Sequence, residues 1–395
     1  MGKYGKIKSI TFFYPSKKVG GAQFLFVRLA NTLAGMGYKT FVIDYPDGFL
    51  TKNISREVFC IEYKDGMTVS IDFDTHLILP PIYLNRMNSL FKIKDNAEVF
   101  CLFWSLAPHN ILMNIRGFYR FSKLVRSSDL EKYFFIFRPF TYVKYQRMLR
   151  KIHQLKGIVY MDYPNFQKNN EVFRIGVKPQ YVPIPIDTTY LKQKEKLSLL
   201  NSSEINIGWL GRLGEEKIQS IIKVWNDINS LKKLLREQKI IFHVIGDGEY
   251  RKELERISKK MSFNIVFKGT MNNVDVNNYI INNIDIIFAM GTSALESAYS
   301  KVPTISLDFS YSSIPKDYRY LWLYEREGYS LGNPVSKKNK NIHTIRKVLN
   351  DLRTSYESIA EKCFNYTKAN HSMSKTVEIL FEKIRECELT MDFFE

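Results

Sequence analysis

Four segments of this 395-residue chain carry residue types suited to holding a phosphorylated ligand. Gly211-Arg-Leu-Gly-Glu-Glu-Lys217 joins glycines, which allow close backbone approach, to Arg212 and Lys217, two cations able to hold a pyrophosphate. Gly246-Asp-Gly-Glu-Tyr250 offers a glycine turn with Asp247, and Lys268-Gly269 adds another cation beside a glycine. Met290-Gly-Thr-Ser-Ala-Leu-Glu296 places Gly291, Thr292 and Ser293 at a helix start, with Glu296 one turn in. Each has a plain structural alternative: a surface turn for the first, an N-cap for Asp247, and a capping box joining Thr292 or Ser293 to Glu296. In the first half the candidates are the pair Gly20-Gly21 ahead of a helix, and His109 and Asp162, each just past a strand. The latter two stand where a catalytic or acceptor-binding group belongs, although a loop histidine is also a common structural residue.

To act together, these residues must follow strands of parallel sheets. In an open α/β sheet, ligands bind outside the carboxyl ends of the strands, where helix N-termini present free N–H groups. Ser9–Tyr14, a glycine loop, an apolar-periodic helix, the stop Gly35-Met-Gly37 and Tyr38–Asp44 predict an opening βαβ unit. Further strands are expected at Thr75–Leu79, Val99–Trp104 and Gly157–Met161, with a strand-like stretch over Gln180–Ile186. The alternation restarts with strands at Ile205–Leu210, Ile240–Ile245, Ile265–Phe267, Ile284–Phe288 and Thr304–Leu307, and Asn341–Glu388 reads as helical. The expected architecture is α/β, with two Rossmann-like doubly wound domains and a helical C-terminal segment. Residues 1–188 form the first domain, 189–203 a lysine-rich linker and 204–372 the second domain; a helix over 373–395 is free to cross back to the first.

Composition limits the function classes. With 45% hydrophobic and 25% charged residues the chain is neither disordered nor membrane-spanning, since no apolar run approaches the ~18 residues a span needs. The basic start is followed by too short an apolar stretch for a signal peptide, which predicts a cytoplasmic protein. Four scattered cysteines, with no CxxC pair, predict reduced thiols and no metal site. The balance of 58 basic and 40 acidic residues, +18, favours anionic partners, whether nucleic acid, acidic membrane or phosphorylated small molecules. The sequence carries no RNP, KH, zinc-finger or helix-turn-helix signature, so nucleic acid is not the expected partner.

Taken in order, several segments resemble the donor domain of family 4-like glycosyltransferases of the bacterial capsule and lipopolysaccharide type. They are Gly211-Arg-Leu with Glu216-Lys217, His243-Val-Ile-Gly-Asp-Gly248, Phe267-Lys-Gly-Thr270, Met290-Gly-Thr-Ser-Ala-Leu-Glu-Ser-Ala298 and Val302-Pro-Thr-Ile305. Gly20-Gly21-Ala22, Leu29-Ala-Asn-Thr-Leu33 and Val182-Pro-Ile-Pro-Ile-Asp187 resemble the same family's acceptor-domain loop and linker. The resemblance implies the GT-B fold, two Rossmann-like domains with a cleft between them. It also implies transfer of a sugar from a nucleoside-diphosphate sugar to a saccharide or polyprenyl-diphosphate-linked saccharide. By the same resemblance Arg212 and Lys217 bind the donor pyrophosphate, Glu296 the ribose and the backbone before it a phosphate. Gly20, Gly21, Gly246, Asp247 and Lys268 complete the expected donor set. The family's other glutamate, eight residues before Glu296, is Phe288 here, which makes a noncatalytic sugar-nucleotide-binding homologue the alternative. Arginine, lysine and helix-terminal N–H groups can neutralise a leaving nucleoside diphosphate, so transfer without a metal or other cofactor is expected.

From Arg116 to Lys151, cations including Arg120, Lys123, Arg126, Lys132, Arg138, Lys144 and Arg147 interleave with ten aromatics, while acids are scarce. This composition suits peripheral docking on an anionic surface at the inner face of the membrane; the alternative is that the aromatics are core and the cations simply solvated.

Overall fold

The computed structural model describes residues 7–18, 20–94, 96–113, 115–124, 130–199, 203–231, 238–336, 339 and 341–395, with backbone alone for 122–124 and 130–132. It divides into two compact units, Met1–Ile184 with Met373–Glu395, and Pro185–Ser372.

The first unit holds a six-stranded parallel sheet in the order β3-β2-β1-β5-β7-β8. These are β1 (Ile10–Phe13), β2 (Thr40–Asp44), β3 (Phe59–Glu62), β5 (Thr75–Leu79), β7 (Val99–Ser105) and β8 (Ile158–Tyr160), while β4 (Val69–Ile71) and β6 (Phe91–Ile93) pair separately. Every residue of β1 and β2 is buried, which explains why they read as continuous apolar runs rather than alternating ones. The intervening helix, Gly21–Gly35, buries Leu25, Phe26, Leu29, Ala30 and Leu33 on one face. It stops in a Schellman motif, with Gly37 at φ 85, its N–H donating to Ala34 O and that of Tyr38 to Leu33 O. The C-terminal helix Met373–Glu386 lies in this unit, where Phe381 packs on Tyr38 at 4.7 Å and Thr376 Oγ1 donates to Pro183 O.

The second unit holds a five-stranded parallel sheet in the order β11-β10-β9-β12-β13. Its strands are β9 (Glu204–Leu210), β10 (Lys239–Ile245), β11 (Asn264–Gly269), β12 (Ile286–Ala289) and β13 (Thr304–Ser306). Both sheets therefore wind outward in two directions from their first strand. The order reverses between β1 and β5 in one unit and between β9 and β12 in the other, which opens a crevice at each carboxyl edge.

Two expectations are corrected. Gln180–Ile186 makes only a single bridge, Tyr181 with Tyr160, because Pro183 and Pro185 lack the N–H groups that would extend a ladder. The boundary expected at 188/189 falls at Ile184/Pro185, and residues 189–199 of the expected linker belong to the second unit. There the buried Lys194 ammonium donates to Ile284 O and Tyr356 Oη, and burial pulls its pKa down to about 8.

Candidate functional site

The carboxyl edge of the second sheet is a set of glycine loops tied to one another by backbone. Gly211 N–H donates to Ile245 O, Leu213 N–H to Asp247 O, and Gly246 N–H to Gly269 O. The approach is so close that a β-carbon on Gly246, at φ 127, would lie 2.2 Å from Gly211 O, and one on Gly248 2.5 Å from Leu213 O. Only glycine fits there, which is why these two positions read as a motif.

Gly211, at φ 144, ends β9 at the reversal point. A β-carbon on it would stand 3.8 Å from Lys217 Nζ and 3.9 Å from Ser293 Oγ, so the loops after β9 and β12 meet over this residue. Lys217 is in the first turn of the helix Glu215–Asn229 and is partly buried. Burial lowers its pKa, with Glu216 opposing the shift and Arg212 adding to it. Arg212 is exposed and ion-paired, Nη2 to Glu216 Oε1 at 3.1 Å.

Across the crevice, Gly291 at φ 65 is the N-cap of the helix Thr292–Tyr299, and its N–H is taken by Leu331 O. Thr292 and Ser293 are the first two helical residues, whose N–H groups have no intrahelical acceptor and suit an anion. Glu296 is the fifth helical residue and partly buried. A capping box needs the third position, held here by Ala294, so that reading of Glu296 fails. The edge thus combines a half-desolvated ammonium, a guanidinium, a helix start and a carboxylate one turn deeper, an arrangement able to hold a diphosphate and the hydroxyls next to it.

Solved structures resemble the whole chain at low sequence identity. A glycosyltransferase from Rickettsia africae ESF-5 matches at 13% identity and TM-score 0.55, over 97% of this chain and 99% of its own. The lipopolysaccharide outer core galactosyltransferase WaaB, in apo form, matches at 10% and 0.54, over 95% and 99%. TarM from S. aureus, as a G117R mutant with UDP, Fondaparinux and alpha-GlcNAc-glycerol, matches at 11% and 0.54, over 96% and 100%. The chain has the GT-B fold. No protein-family profile matches it, and no curated protein matches it by sequence.

Within this GT-B chain the other candidates separate. Asp247 is not an N-cap, since the cap of Arg251–Ser258 is Tyr250. Instead its carboxylate accepts from Gly248 N–H and Arg251 Nη1, both at 2.8 Å, which holds it below the usual carboxylate range. Lys268, on the edge strand β11, lies over the Tyr279 ring at 5.0 Å, away from the β9/β12 reversal. Phe288 is fully buried on β12 and packs edge-on against Tyr320 at 5.8 Å, so the position where the resemblance implies a second glutamate serves the core.

In the first unit, Gly20 is the N-cap of Gly21–Gly35, and the space around a β-carbon on Gly21 is open. His109 follows β7 and is exposed. Asp162, the other candidate of this unit, caps the helix Tyr163–Phe173: it is 4% exposed, and Oδ1 accepts from Asn165 N–H at 3.0 Å and from Asn165 Nδ2. Burial raises its pKa to about 6 against those hydrogen bonds.

Sequence reasoning misses three carboxylate features. Asp44, wholly buried at the end of β2, accepts N–H groups from Ser16, Tyr45 and Leu50 at 2.8 Å and so fixes the loop after β1. Asp308, wholly buried after β13, meets Arg326 Nη1 at 2.8 Å and accepts from Asn333 N–H and Asn341 Nδ2. Both strand-end positions are visible in the sequence, but Ser16 lies 28 residues from Asp44, and Asn333 and Asn341 lie 25 and 33 residues from Asp308. The expectation of metal-free transfer also passes over an Asp-x-Asp triplet, Asp72-Phe-Asp74. It precedes β5, at the amino edge of the first sheet, where Asp74 pairs with Lys8 and accepts from Glu98 N–H.

Proposed function

We propose that the chain is a glycosyltransferase that moves a sugar from a nucleoside-diphosphate sugar to a saccharide acceptor in the synthesis of a cell-surface polysaccharide. The observation that carries the reading is the meeting of Lys217 Nζ and Ser293 Oγ over Gly211, which puts a cation and a helix N-terminus on one point at a topological switch. In this reading Lys217 and Arg212 hold the two phosphates, with the Thr292 and Ser293 N–H groups on the second. Glu296 accepts hydroxyl hydrogen bonds from the ribose. The departing nucleoside diphosphate has its charge balanced by this chain's own groups, with no metal required. WaaB is an outer core galactosyltransferase and TarM was solved with UDP, which supports a nucleotide-sugar donor and a saccharide acceptor.

The acceptor is lipid-linked in this proposal, and the enzyme works from the cytoplasmic face of an anionic membrane without crossing it. No helix among the described residues is long and apolar enough to span a bilayer. The basic segment carries exposed Tyr119, Tyr133, Phe137 and Phe140 with Ile136, which support this reading, while Phe118, Phe134, Phe135 and Tyr145 are core. Arg126 lies outside the described residues, as do the side chains of Lys123 and Lys132. His109, exposed past β7, is the candidate for the acceptor side.

A thermal-shift screen of nucleoside diphosphates and their sugars tests the reading, since a ligand at 100 times its Kd adds about 2.7 kcal/mol of stability. A stabilising nucleotide whose effect is lost in Lys217→Ala, together with release of labelled sugar from the matching donor, is the expected result. Stabilisation with neither transfer nor hydrolysis would favour the noncatalytic homologue that the buried Phe288 makes specific.

A further inference from the structure

The helix that carries Lys217, Glu215–Asn229, is tied along one face to residues 308–320, which follow β13. Ser310 N–H donates to Glu216 O at 3.0 Å and Ser220 Oγ to Asp308 O at 2.6 Å. Lys223 Nζ donates to Lys316 O at 3.1 Å, and Asp227 Oδ2 accepts from Tyr320 Oη at 2.6 Å. Residues 216, 220, 223 and 227 recur at the three- and four-residue spacing of a single helix face. The first tie falls on the residue before Lys217, so residue 310 fixes the turn that bears that ammonium.

The same segment also holds the helix start across the crevice. Asp308 is wholly buried, and its Oδ1 meets Arg326 Nη1 and accepts from Asn333 N–H, both at 2.8 Å. Phe309 N–H donates to Asn333 O and Val335 N–H to Phe309 O, each at 2.9 Å, which lays residues 333–335 beside Phe309. Two residues before Asn333, Leu331 O accepts from Gly291 N–H at 3.0 Å, and Gly291 is the N-cap of Thr292–Tyr299. A β-carbon on the intervening Gly332, at φ 134, would stand 2.5 Å from Leu307 O, so this stretch is pressed against the end of β13. A short path from Asp308 through Asn333 to Leu331 therefore sets where Thr292 and Ser293 begin their helix. The buried ion pair makes that path stiff, because parting the two charges would leave each in surroundings that cannot solvate it.

We propose that Asp308 is a positioning residue for the donor diphosphate. Its main chain holds the Lys217 helix and its carboxylate holds the Thr292 helix start, so one residue sets the separation of the cation from the N–H groups that share the ligand. Asp308 touches no phosphate and acts through Lys217 and Ser293. This role rests on the glycosyltransferase reading; the bracket between the two helix starts does not.

The test follows hydrogen exchange at the Gly291 amide and calorimetric binding of UDP, ADP and GDP, with Kd taken per folded molecule. The proteins are the wild type, Asp308→Ala, Asp308→Asn, Ser220→Ala and a control, Ile240→Ala, which empties core at the amino end of β10. In Asp308→Ala both the Gly291 exchange rate and the Kd of the tightest nucleotide should rise about tenfold, since small misplacements of a binding group are costly. Asp308→Asn keeps an acceptor for Asn333 N–H and should recover most of both losses. Ser220→Ala removes one tie, leaves the ion pair intact and should raise Kd about threefold. Ile240→Ala should lower the melting temperature and leave Kd unchanged. If Asp308→Ala does not fold, Ser220→Ala decides. A wild-type Kd in Ser220→Ala and in every folded Asp308 variant, or the same Kd rise in Ile240→Ala, overturns the proposal. Faster Gly291 exchange in Asp308→Ala, with no nucleotide bound by the wild type, would keep the bracket but overturn the donor reading and with it the diphosphate role of Asp308.

Discussion

The two units share a strand order but secure their carboxyl edges by opposite means. In the first, carboxylates do the fixing: Asp44 gathers the loops after β1 and β2, and Asp162 caps the helix after β8. In the second, the loops after β9, β10 and β11 are joined backbone to backbone through Gly211, Gly246 and Gly269. One fully buried acid of that unit, Asp308, is neutralised by Arg326 and sits beyond β13, at the far end of the sheet from β11. The contrast shows two ways of fixing the loops at the carboxyl edge of a parallel sheet. Amide-to-amide contacts tie the loops of the second unit together, and its nearby carboxylates Glu216 and Asp247 are each paired to an arginine, Arg212 and Arg251, whereas Asp44 and Asp162 in the first unit meet N–H groups alone.

The comparison can be broken at several strengths. The largest effect is expected where a buried charge loses its partner: Asp308→Ala leaves Arg326 uncompensated and should cost about 3–5 kcal/mol by denaturant titration. A loss under about 1 kcal/mol would mean that the pair does not organise that edge. Next come the glycine contacts. Gly246→Ala adds a β-carbon at positive φ against Gly211 O and should cost about 2–4 kcal/mol, while Gly21→Ala, with open space around it, should be nearly neutral. Equal melting temperatures for the two variants would show that contact, as opposed to glycine content, does not shape the carboxyl edge of the second sheet.

The third expectation concerns binding rather than folding. Lys217→Ala should weaken nucleoside diphosphate binding by about 1.5–3 kcal/mol, and Arg212→Ala by less, because Arg212 is exposed and already paired. Since the Lys217 pKa is lowered, its positive charge is lost earlier than usual as pH rises, so affinity should decline toward alkaline pH in the wild type and not in Lys217→Ala. Calorimetry across pH decides it.

At neutral pH the smallest effect comes from a substitution that separates titrating groups. His76, His153 and His243 are pulled down to about 4 by burial, so the stability they hold in neutral form is present above about 6.5 and lost as pH falls toward 4, up to about 3 kcal/mol each. Asp162 has the opposite sign: its pKa is raised to about 6, so its contribution is full below about 4 and is lost as pH rises through 6. Asp162→Asn, which still caps a helix, should therefore be nearly neutral at pH 7 and steepen the loss of stability between pH 6 and 4. An unchanged acid limb would show that Asp162 titrates normally.

Both βα alternations were legible because strands buried on two faces must be apolar throughout, and the chain spells them out at β1, β2, β9 and β10. Glycine, lysine and arginine after β9, and Gly291-Thr-Ser after β12, were legible because a loop that admits a ligand needs small residues and charge where a strand ends. The strands β3, β4 and β6 were not, being short, and β3 largely exposed, so no apolar run marks them. The prolines that keep Gln180–Ile186 out of the sheet were in view, but apolar content alone predicted a strand. Only tertiary structure decided what each carboxylate engages: in a sequence Asp44, Asp162 and Asp308 are simply acids at or soon after the end of a strand. What separates them is the set of N–H and guanidinium groups that folding brings within hydrogen-bond reach, from 28 residues away for Ser16 on Asp44 and from Arg326 and Asn341 for Asp308. Hydrogen bonds and desolvation act over a few ångströms of space, not along the chain, so sequence could nominate the acids while the fold alone assigned them.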